Sequence, residues 1–314
     1  MELLLEFGSE IIRISILYSI IKEFKGCIRR LHVLLAFSLD HPPVSAQCKC
    51  GTECECPNAP HVQRSFWRGR WYVLETTSFQ ICCEQSKESA RHLARHAETL
   101  KSVIGTKWLG ETSAEPWSPR CQVVLHASQR SYVAAVGPGS ERTVGSSLVR
   151  VSKNRTTRRI DLLGGDTEFL SAALPHEMTH VVLRDRFQSQ ALPRWADEGL
   201  AILADPAAKQ SRHRIDLDKA IASRTTFPAI AILTMDEYPR PDRFGAFYGQ
   251  SASLTEYLVE RKGPQQFVEF VERAAEQGYD AALQQCYEIA DMGELDRLWR
   301  SQLRNLRSPA HRGG

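Results

Sequence analysis

From about residue 70, apolar and polar residues alternate in short runs along the chain. Such alternation places every second side chain on one buried face, which is typical of β-strands. It predicts strands over residues 71–75, 79–82, 122–126, 148–151 and 159–163, the last two forming a pair. Residues 86–104 repeat their apolar positions at helical spacing and are predicted to form a helix. The glycine- and proline-containing residues 136–145 are predicted to form a loop.

From residue 166 almost to the end, apolar positions recur every three or four residues, which predicts helices. The clearest apolar stripes are Phe267, Phe270, Val271 and Ala274, and then Leu295, Leu298, Trp299 and Leu306. The order of elements predicts an α+β fold, with a small mixed β-sheet lobe over 66–165 and a mainly helical lobe over 166–307. We expect an active site in the cleft between these lobes, and we expect the strand over 159–163 to offer its edge to an extended peptide.

Residues 176–180 read His-Glu-Met-Thr-His and form the most informative motif of the chain. On a helix, His176 and His180 lie one turn apart and face the same way, so both imidazoles can bind one zinc ion. Glu177 lies beside them, where its carboxylate can take a proton from a zinc-bound water. The motif therefore supplies two metal ligands and a general base.

A hydrolytic zinc usually has three protein ligands and one open position, so a third ligand is expected downstream. Residues 193–201, Pro-Arg-Trp-Ala-Asp-Glu-Gly-Leu-Ala, fit this role because Pro193 can open a helix and Glu198 lies one turn inside it. Asp197 is the competing ligand. Pro175, just before the histidines, indicates that a helix either bends there or starts there.

A second histidine pair serves as an internal comparison. His92 and His96 are also four residues apart, but no glutamate follows the first of them and no partner segment lies downstream. The apolar stripe of the predicted helix lies on other positions, so this pair is assigned to the polar face.

The two zinc segments together resemble the gluzincin zinc metallopeptidases, which include thermolysin-like and membrane-alanyl-aminopeptidase-like groups. The wider string over 174–183, with a weaker companion over 247–251, is similar to bacterial peptidase MA-like proteins, and the likeness covers roughly residues 70–305. Seventeen residues separate His180 from Glu198, one fewer than in the aminopeptidases, and the exopeptidase segment Gly-x-Met-Glu-Asn is absent from the sequence. The resemblance therefore implies a metalloendopeptidase with a thermolysin-like catalytic core.

The resemblance also implies the roles of individual residues. His176, His180 and Glu198 would hold one Zn²⁺ per chain, and Glu177 would act as the general base on a peptide or protein substrate. Tyr248 is implied as a hydrogen-bond donor to the oxyanion, since gluzincins often place a tyrosine or histidine donor on a later element.

Two other functions use the same residues. The first is a non-catalytic, zinc-stabilised binding module on a peptidase fold, against which the retained Glu177 argues, because a structural zinc site has no use for a general base. The second is a zinc amidase that acts on a non-protein amide with the same site chemistry.

The amino-terminal residues 1–46 are interpreted as a leader with an internal signal peptide. Arg29 and Arg30 precede an apolar run over 31–39, and the small residues of Val44-Ser45-Ala46 follow, which is the layout of a secretory signal. The alternative is an amphipathic helix over 9–24 and a buried strand over 31–37. The signal predicts export from a bacterial cell to the periplasm or beyond, with a translation start assigned too far upstream.

The cysteine count agrees with export. Cleavage after Ala46 would leave eight of the nine cysteines, and an even number is typical of a disulfide-bonded secreted protein. Four of them, Cys48, Cys50, Cys54 and Cys56, lie in a Cys-rich segment or linker over 47–65 and predict either disulfides or a soft metal bound by thiolates.

The charge and hydropathy of the chain argue against a nucleic-acid partner and against a membrane span. The net charge of +3 is too small to indicate a nucleic-acid partner, and the basic run over 155–159 is interpreted as a solvated loop. The amino-terminal apolar run is too short for a stable membrane span. The predicted peptidase domain thus covers 66–307, with a tail over 308–314.

Overall fold

A computed structural model describes residues 14–15, 61–111, 115–152, 155–165, 173–187 and 192–307 of the chain. The predicted signal peptide, from about residue 28 to Ala46, lies outside these residues, as do the cysteines of 48–56 and the tail over 308–314. Within them, Cys82, Cys83, Cys121 and Cys286 are free thiols. No helix in this part of the chain is both long enough and apolar enough to cross a membrane.

The amino-terminal half of the described chain forms a mixed β-sheet. Its strands are β1 (Ile14–Ser15), β2 (Arg64–Arg68), β3 (Trp71–Glu75), β4 (Phe79–Cys83), β5 (Cys121–His126), β6 (Gly145–Ser152) and β7 (Arg155–Leu163). Six of them, β2 to β7, make up the main sheet, and the two-residue β1 pairs with β6, giving the order β1-β6-β7-β5-β4-β3-β2. Only the β4–β5 and β5–β7 pairs of these described strands are parallel. The five predicted strands are confirmed, and β1 and β2 are additions.

The strand that precedes the His-Glu-Met-Thr-His motif in the chain is not the edge strand that we predicted. We predicted that residues 159–163 would expose a strand edge, but β7 is hydrogen-bonded to β5 on one side and to β6 on the other. That prediction was wrong because the hydrophobic pattern of a strand reports burial of its faces, and both interior and edge strands can be buried. The antiparallel strand β6 lies between β7 and the β1 end of the sheet.

The basic run over 155–159 was also misinterpreted as a solvated loop, because it forms the first half of β7. Arg158 is only 7% exposed and its guanidinium pairs with Asp185. The next side chain, Arg159, points to the opposite face of the sheet, where its guanidinium binds the carboxylate of Asp161. Strand alternation thus directs two adjacent arginines to two different aspartates on opposite faces of the sheet.

A buried polar network surrounds Asp161 on that face. Oδ1 of Asp161 lies 2.8 Å from Nε2 of His126, and Nε of Arg159 donates to Oδ2 at 2.6 Å. Nδ1 of His126 lies 2.9 Å from the hydroxyl oxygen of Ser131. Burial alone would raise the pKa of Asp161, but the hydrogen bonds and charges of Arg159 and His126 outweigh it and hold that pKa below its ordinary value.

Helices flank and follow the sheet. They are α1 (Lys87–Ile104, continued by a π-helical turn over Gly105–Leu109), α2 (Gln129–Val136), α3 (Leu174–Phe187), α4 (Arg194–Leu203), α5 (Ala207–Ala222), α6 (Ala229–Leu233), α7 (Phe244–Lys262), α8 (Pro264–Gln277), α9 (Tyr279–Tyr287) and α10 (Met292–Arg307). The α+β prediction is confirmed. Helix α2 was not predicted; the hydroxyl of Ser128 caps it by accepting from the backbone N–H of Ser131.

The predicted apolar stripes are largely confirmed. Phe267, Phe270, Val271 and Ala274 are buried in α8, as are Leu295 and Trp299 in α10. Leu298 is an exception at 37% exposure. Leu295 and Trp299 are one turn apart and share a face, whereas Leu298 lies about 100° around the helix from Trp299, at the edge of that face.

The described residues form two compact units. The first contains the sheet, α2, the part of α1 up to Glu98 and the part of α3 up to Asp185. The second contains the remainder of α1 and the helices α4 to α10.

Within the second unit, α4 packs closely against α7 at Gly199. A methyl group added at Gly199 would lie 2.1 Å from Oγ1 of Thr255 and 2.7 Å from the carbonyl oxygen of Ser251. Both distances are far below van der Waals contact, so the two helices can approach this closely only if residue 199 has no side chain.

In Gly199→Ala, we expect the free energy of unfolding to fall by about 1–3 kcal/mol, because overpacking outweighs the roughly 1 kcal/mol gain in helix propensity. Urea unfolding measures the change. Gly245→Ala is the matched control, since a methyl there first meets Cβ of Asp216 at 3.3 Å; we expect it to stay within about 1 kcal/mol of the wild type. Equal losses in the two variants would contradict the packing assigned to Gly199.

The Asp161 network predicts a pH-dependent contribution to stability. Because the folded-state pKa of Asp161 is depressed, its ionised form stabilises the fold above the unfolded-state pKa of about 3.9, and this contribution is lost as pH falls through the folded-state pKa. We therefore expect Asp161→Asn to have a smaller free energy of unfolding than the wild type at about pH 6, and we expect this difference to narrow toward about pH 2.5. Urea unfolding at a series of pH values measures the difference. A difference that does not depend on pH would contradict the assignment.

Candidate metal centre

The helix that carries the His-Glu-Met-Thr-His motif begins immediately before it. Helix α3 starts at Leu174, so Pro175 occupies its first turn, where a missing backbone N–H costs no helical hydrogen bond. The hydroxyl of Thr179 donates to the carbonyl of Pro175 at 2.8 Å, and the N–H of Glu177 donates to the carbonyl of Ala173 at 3.0 Å. Of the two geometries considered for Pro175, the structure has the one in which a helix starts near it.

The two motif histidines lie together on one side of α3. His176 and His180 are each 2% exposed, and their ring centroids are 4.8 Å apart in an edge-to-face arrangement. The spacing of one helical turn produces this proximity directly. The comparison pair, His92 and His96, lies on the polar side of α1, where His92 is exposed and His96 half-buried, as predicted.

Glu198 is held by helix α4. Pro193 takes the position before the first residue of that helix, as the sequence indicated, and Glu198 is only 1% exposed. Glu198 forms one buried group with His176 and His180. Asp197, the competing candidate, is half-buried and does not belong to this group.

The donors of this group suit a divalent metal. One atom from each of His176, His180 and Glu198 lies within 4.8 Å of the other two. Ligand atoms held at 2.0–2.2 Å from one tetrahedral zinc lie about 3.4 Å from one another, so only small side-chain movements are needed for the three atoms to reach one ion. Two imidazoles and one carboxylate are also a donor set that hydrolytic zinc sites use.

Glu177 is enclosed at the start of strand β6. Its side chain is fully buried, and a methyl group built on Gly145 would lie 3.0 Å from both Cγ and Oε1 of Glu177. The same methyl would lie 3.2 Å from Cβ of Ala173. The backbone of β6 therefore passes directly beside the carboxylate that the sequence assigns as general base, and it can do so because residue 145 has no side chain.

Tyr132 supplies part of the electrostatic environment of Glu177. It is fully buried, and its hydroxyl lies 2.7 Å from Oγ1 of Thr143. Burial raises the pKa of Tyr132, and the negative charge of Glu177 raises it further, so its phenol stays protonated.

A residue that sequence reasoning missed contacts the carboxylate of Glu198. The hydroxyl of Tyr238 donates to Oε1 of Glu198 at 2.5 Å. Burial raises the pKa of Tyr238, and the adjacent Glu198 carboxylate raises it further. Tyr238 lies in the connection between α6 and α7, where no periodic pattern or motif marks it in the sequence.

Tyr248, the predicted oxyanion donor, lies in the same aromatic cluster. Its ring centroid is 6.4 Å from that of Tyr238 and 5.4 Å from that of Phe247. Tyr238 contacts both Tyr248 and Glu198, so it links the predicted oxyanion donor to a candidate metal ligand. Its catalytic role stays a prediction.

One of two comparisons with known proteins gives a match, and it covers this part of the chain. No curated protein matches the sequence. Residues 154–305 match the family model of the Peptidase MA superfamily, and the matched range contains α3, α4 and the three buried metal-ligand candidates. This match supports a peptidase MA-like superfamily and suggests a peptidase.

Proposed function

We propose that this protein is a zinc-dependent metalloendopeptidase of the gluzincin type. The observation that carries the proposal is the buried group of His176, His180 and Glu198, with its ligand atoms within 4.8 Å of one another. The match over 154–305 to the Peptidase MA superfamily supports it independently, since peptidases of that superfamily are commonly metal-dependent. His176, His180 and Glu198 would hold the ion.

When bound, a zinc ion supplies Lewis acidity, which lowers the pKa of a water molecule and polarises the carbonyl of the scissile amide. The proton of the attacking water must be removed, and Glu177 is the general base for this step, because it directly follows the ligand His176 on α3. After the attack, the protonated Glu177 gives the proton to the leaving amine. The proton is thus carried from water to amine by one carboxyl group.

The surroundings of Glu177 suit this role. Its fully buried carboxyl lies between helix α3 and the backbone at Gly145, which restricts its rotation. A fixed carboxyl with few rotamers loses little entropy on reaching the geometry of proton transfer. The oxyanion that forms on the substrate would be stabilised by the phenol of Tyr248.

Strand β6 is the proposed platform for the substrate. Among the described strands, β6 pairs with β7 along its whole length and with β1 only at Ser146 and Ser147. An extended peptide could pair with residues 148–152 on the β1 side of β6, along the strand whose first residue, Gly145, lies beside Glu177. Backbone recognition of this kind fits a peptide substrate and favours an internal bond over a free terminus.

The metal ligands are tested by comparing the two histidine pairs of the chain. We expect purified wild-type protein to retain about one zinc after dialysis. His180→Ala removes a ligand, so its Kd for zinc should rise by more than the roughly 100-fold that loss of an outer hydrogen-bond partner costs. His96→Ala is the control and should retain zinc like the wild type. Elemental analysis and chelator competition measure both; equal zinc retention in the two variants would contradict the assignment.

The general base is tested with Glu177→Gln, which keeps the shape of the side chain but cannot accept the proton. We expect kcat/KM for unfolded casein to fall by about 10²- to 10⁴-fold while zinc content is unchanged. Glu276→Gln, at an exposed position on α8, is the control and should cleave like the wild type. Undiminished cleavage by Glu177→Gln would refute the assigned base, and zinc binding without cleavage by the wild type would favour the binding module.

A further inference from the structure

We propose that Tyr238 is a positioning residue for Glu198, which holds the carboxylate through one oxygen so that only the other oxygen is offered to the metal. This inference rests on the proposed function, in which Glu198 is the third ligand. It assigns a role to a residue that no motif marks, and it predicts both the affinity of the site and the way in which Glu198 coordinates the ion.

The hydrogen bond itself is short and has one possible direction. The oxygens of Tyr238 and Glu198 are 2.5 Å apart, at the short end of the range for an O–H donor and an ionised carboxylate. An ionised carboxylate only accepts hydrogen bonds, and a phenol with an ordinary pKa near 10 is protonated at neutral pH, so Tyr238 donates. The bond engages Oε1 of Glu198 and not Oε2.

Tyr238 is fixed by its neighbours in the second unit. Its ring meets the rings of Phe247 at 5.8 Å, Phe244 at 6.3 Å and Tyr248 at 6.4 Å between centroids. The guanidinium carbon of Arg194 lies 4.6 Å from the ring centroid. A phenol held in this way keeps its hydroxyl at one place, which a positioning residue requires.

Helix α4 contacts Tyr238 at two points. Arg194 and Glu198 are four residues apart on α4 and therefore lie on the same face. The first binds the ring of Tyr238 and the second binds its hydroxyl. Tyr238 therefore contacts α4 at Glu198 and also one turn earlier, at Arg194. These two contacts limit rotation of the Glu198 carboxylate.

The consequence for a bound ion concerns the number of ligand atoms. A carboxylate can ligate through one oxygen or through both, and a hydrolytic zinc needs three protein ligand atoms plus one position for water. If Glu198 used both oxygens, the ion and its water would have five ligand atoms in place of the four of a tetrahedral site. By retaining Oε1, Tyr238 keeps Glu198 to a single ligand atom.

The test compares Tyr238→Phe with a matched variant, Tyr279→Phe. Tyr279 is also half-buried, and its hydroxyl accepts from Nε1 of Trp195, on the same helix α4, at 3.0 Å. Each variant therefore removes one phenol oxygen that contacts α4, but only Tyr238→Phe removes a contact of the ligand. Zinc Kd is measured by competition with a chromophoric chelator, and coordination is followed by the visible absorption of the cobalt(II)-substituted protein.

We expect Tyr238→Phe to raise the Kd for zinc by about 10- to 100-fold. We also expect its cobalt(II) absorption to weaken as the freed carboxylate adds a fifth ligand atom to a four-coordinate site. Tyr279→Phe should leave both the Kd and the spectrum unchanged, whatever it does to the thermal stability of the metal-free protein.

Two results would overturn the inference while the proposed function stands. If Tyr238→Phe and the wild type have the same Kd and the same spectrum, Tyr238 does not position Glu198; a loss of kcat in that case would make its phenol a substrate contact instead. If both variants change the Kd equally, the effect belongs to the packing of α4. A wild-type protein that binds neither metal would overturn the proposed function and this inference together.

Discussion

The structure depends on the burial of four ionisable side chains, His176, Glu177, His180 and Glu198, each at most 2% exposed. Imidazoles and carboxylates are costly to remove from water unless hydrogen bonds, opposite charges or a metal compensate. A fold that needed only stability would place apolar residues at such positions. The proposed metal chemistry would account for this arrangement, and the nearby hydroxyl of Tyr238 and the closely packed backbone at Gly145 are consistent with it.

Two glycines allow the backbone to pack closely around these buried side chains. Gly145 allows strand β6 to lie against Glu177, and Gly199, directly after Glu198, allows α4 to lie against α7. In each case a single methyl group would occupy space that a neighbouring atom already fills. Gly199 thus has a packing role of its own, apart from the metal binding proposed for Glu198.

The sequence predicted what depends on local periodicity. The spacing of His176 and His180 placed them together, and the alternation of apolar residues located five strands within a few residues. It did not predict the central position of β7, because order within a sheet depends on pairing between distant segments. Leu298 fitted a helical stripe but lies at the edge of the buried face. Tyr238 was missed because its contact with Glu198 spans 40 residues and follows from tertiary packing alone.

The central claim is that His176, His180 and Glu198 ligate one metal ion. The most direct measurement is anomalous X-ray scattering at the zinc edge from crystals of the zinc-loaded protein. We expect one peak at about 2.0–2.2 Å from a nitrogen of each histidine and from a single oxygen of Glu198, with no fourth protein ligand. A peak elsewhere in a folded, zinc-containing protein would contradict the claim, as would a fourth protein ligand that closes the site.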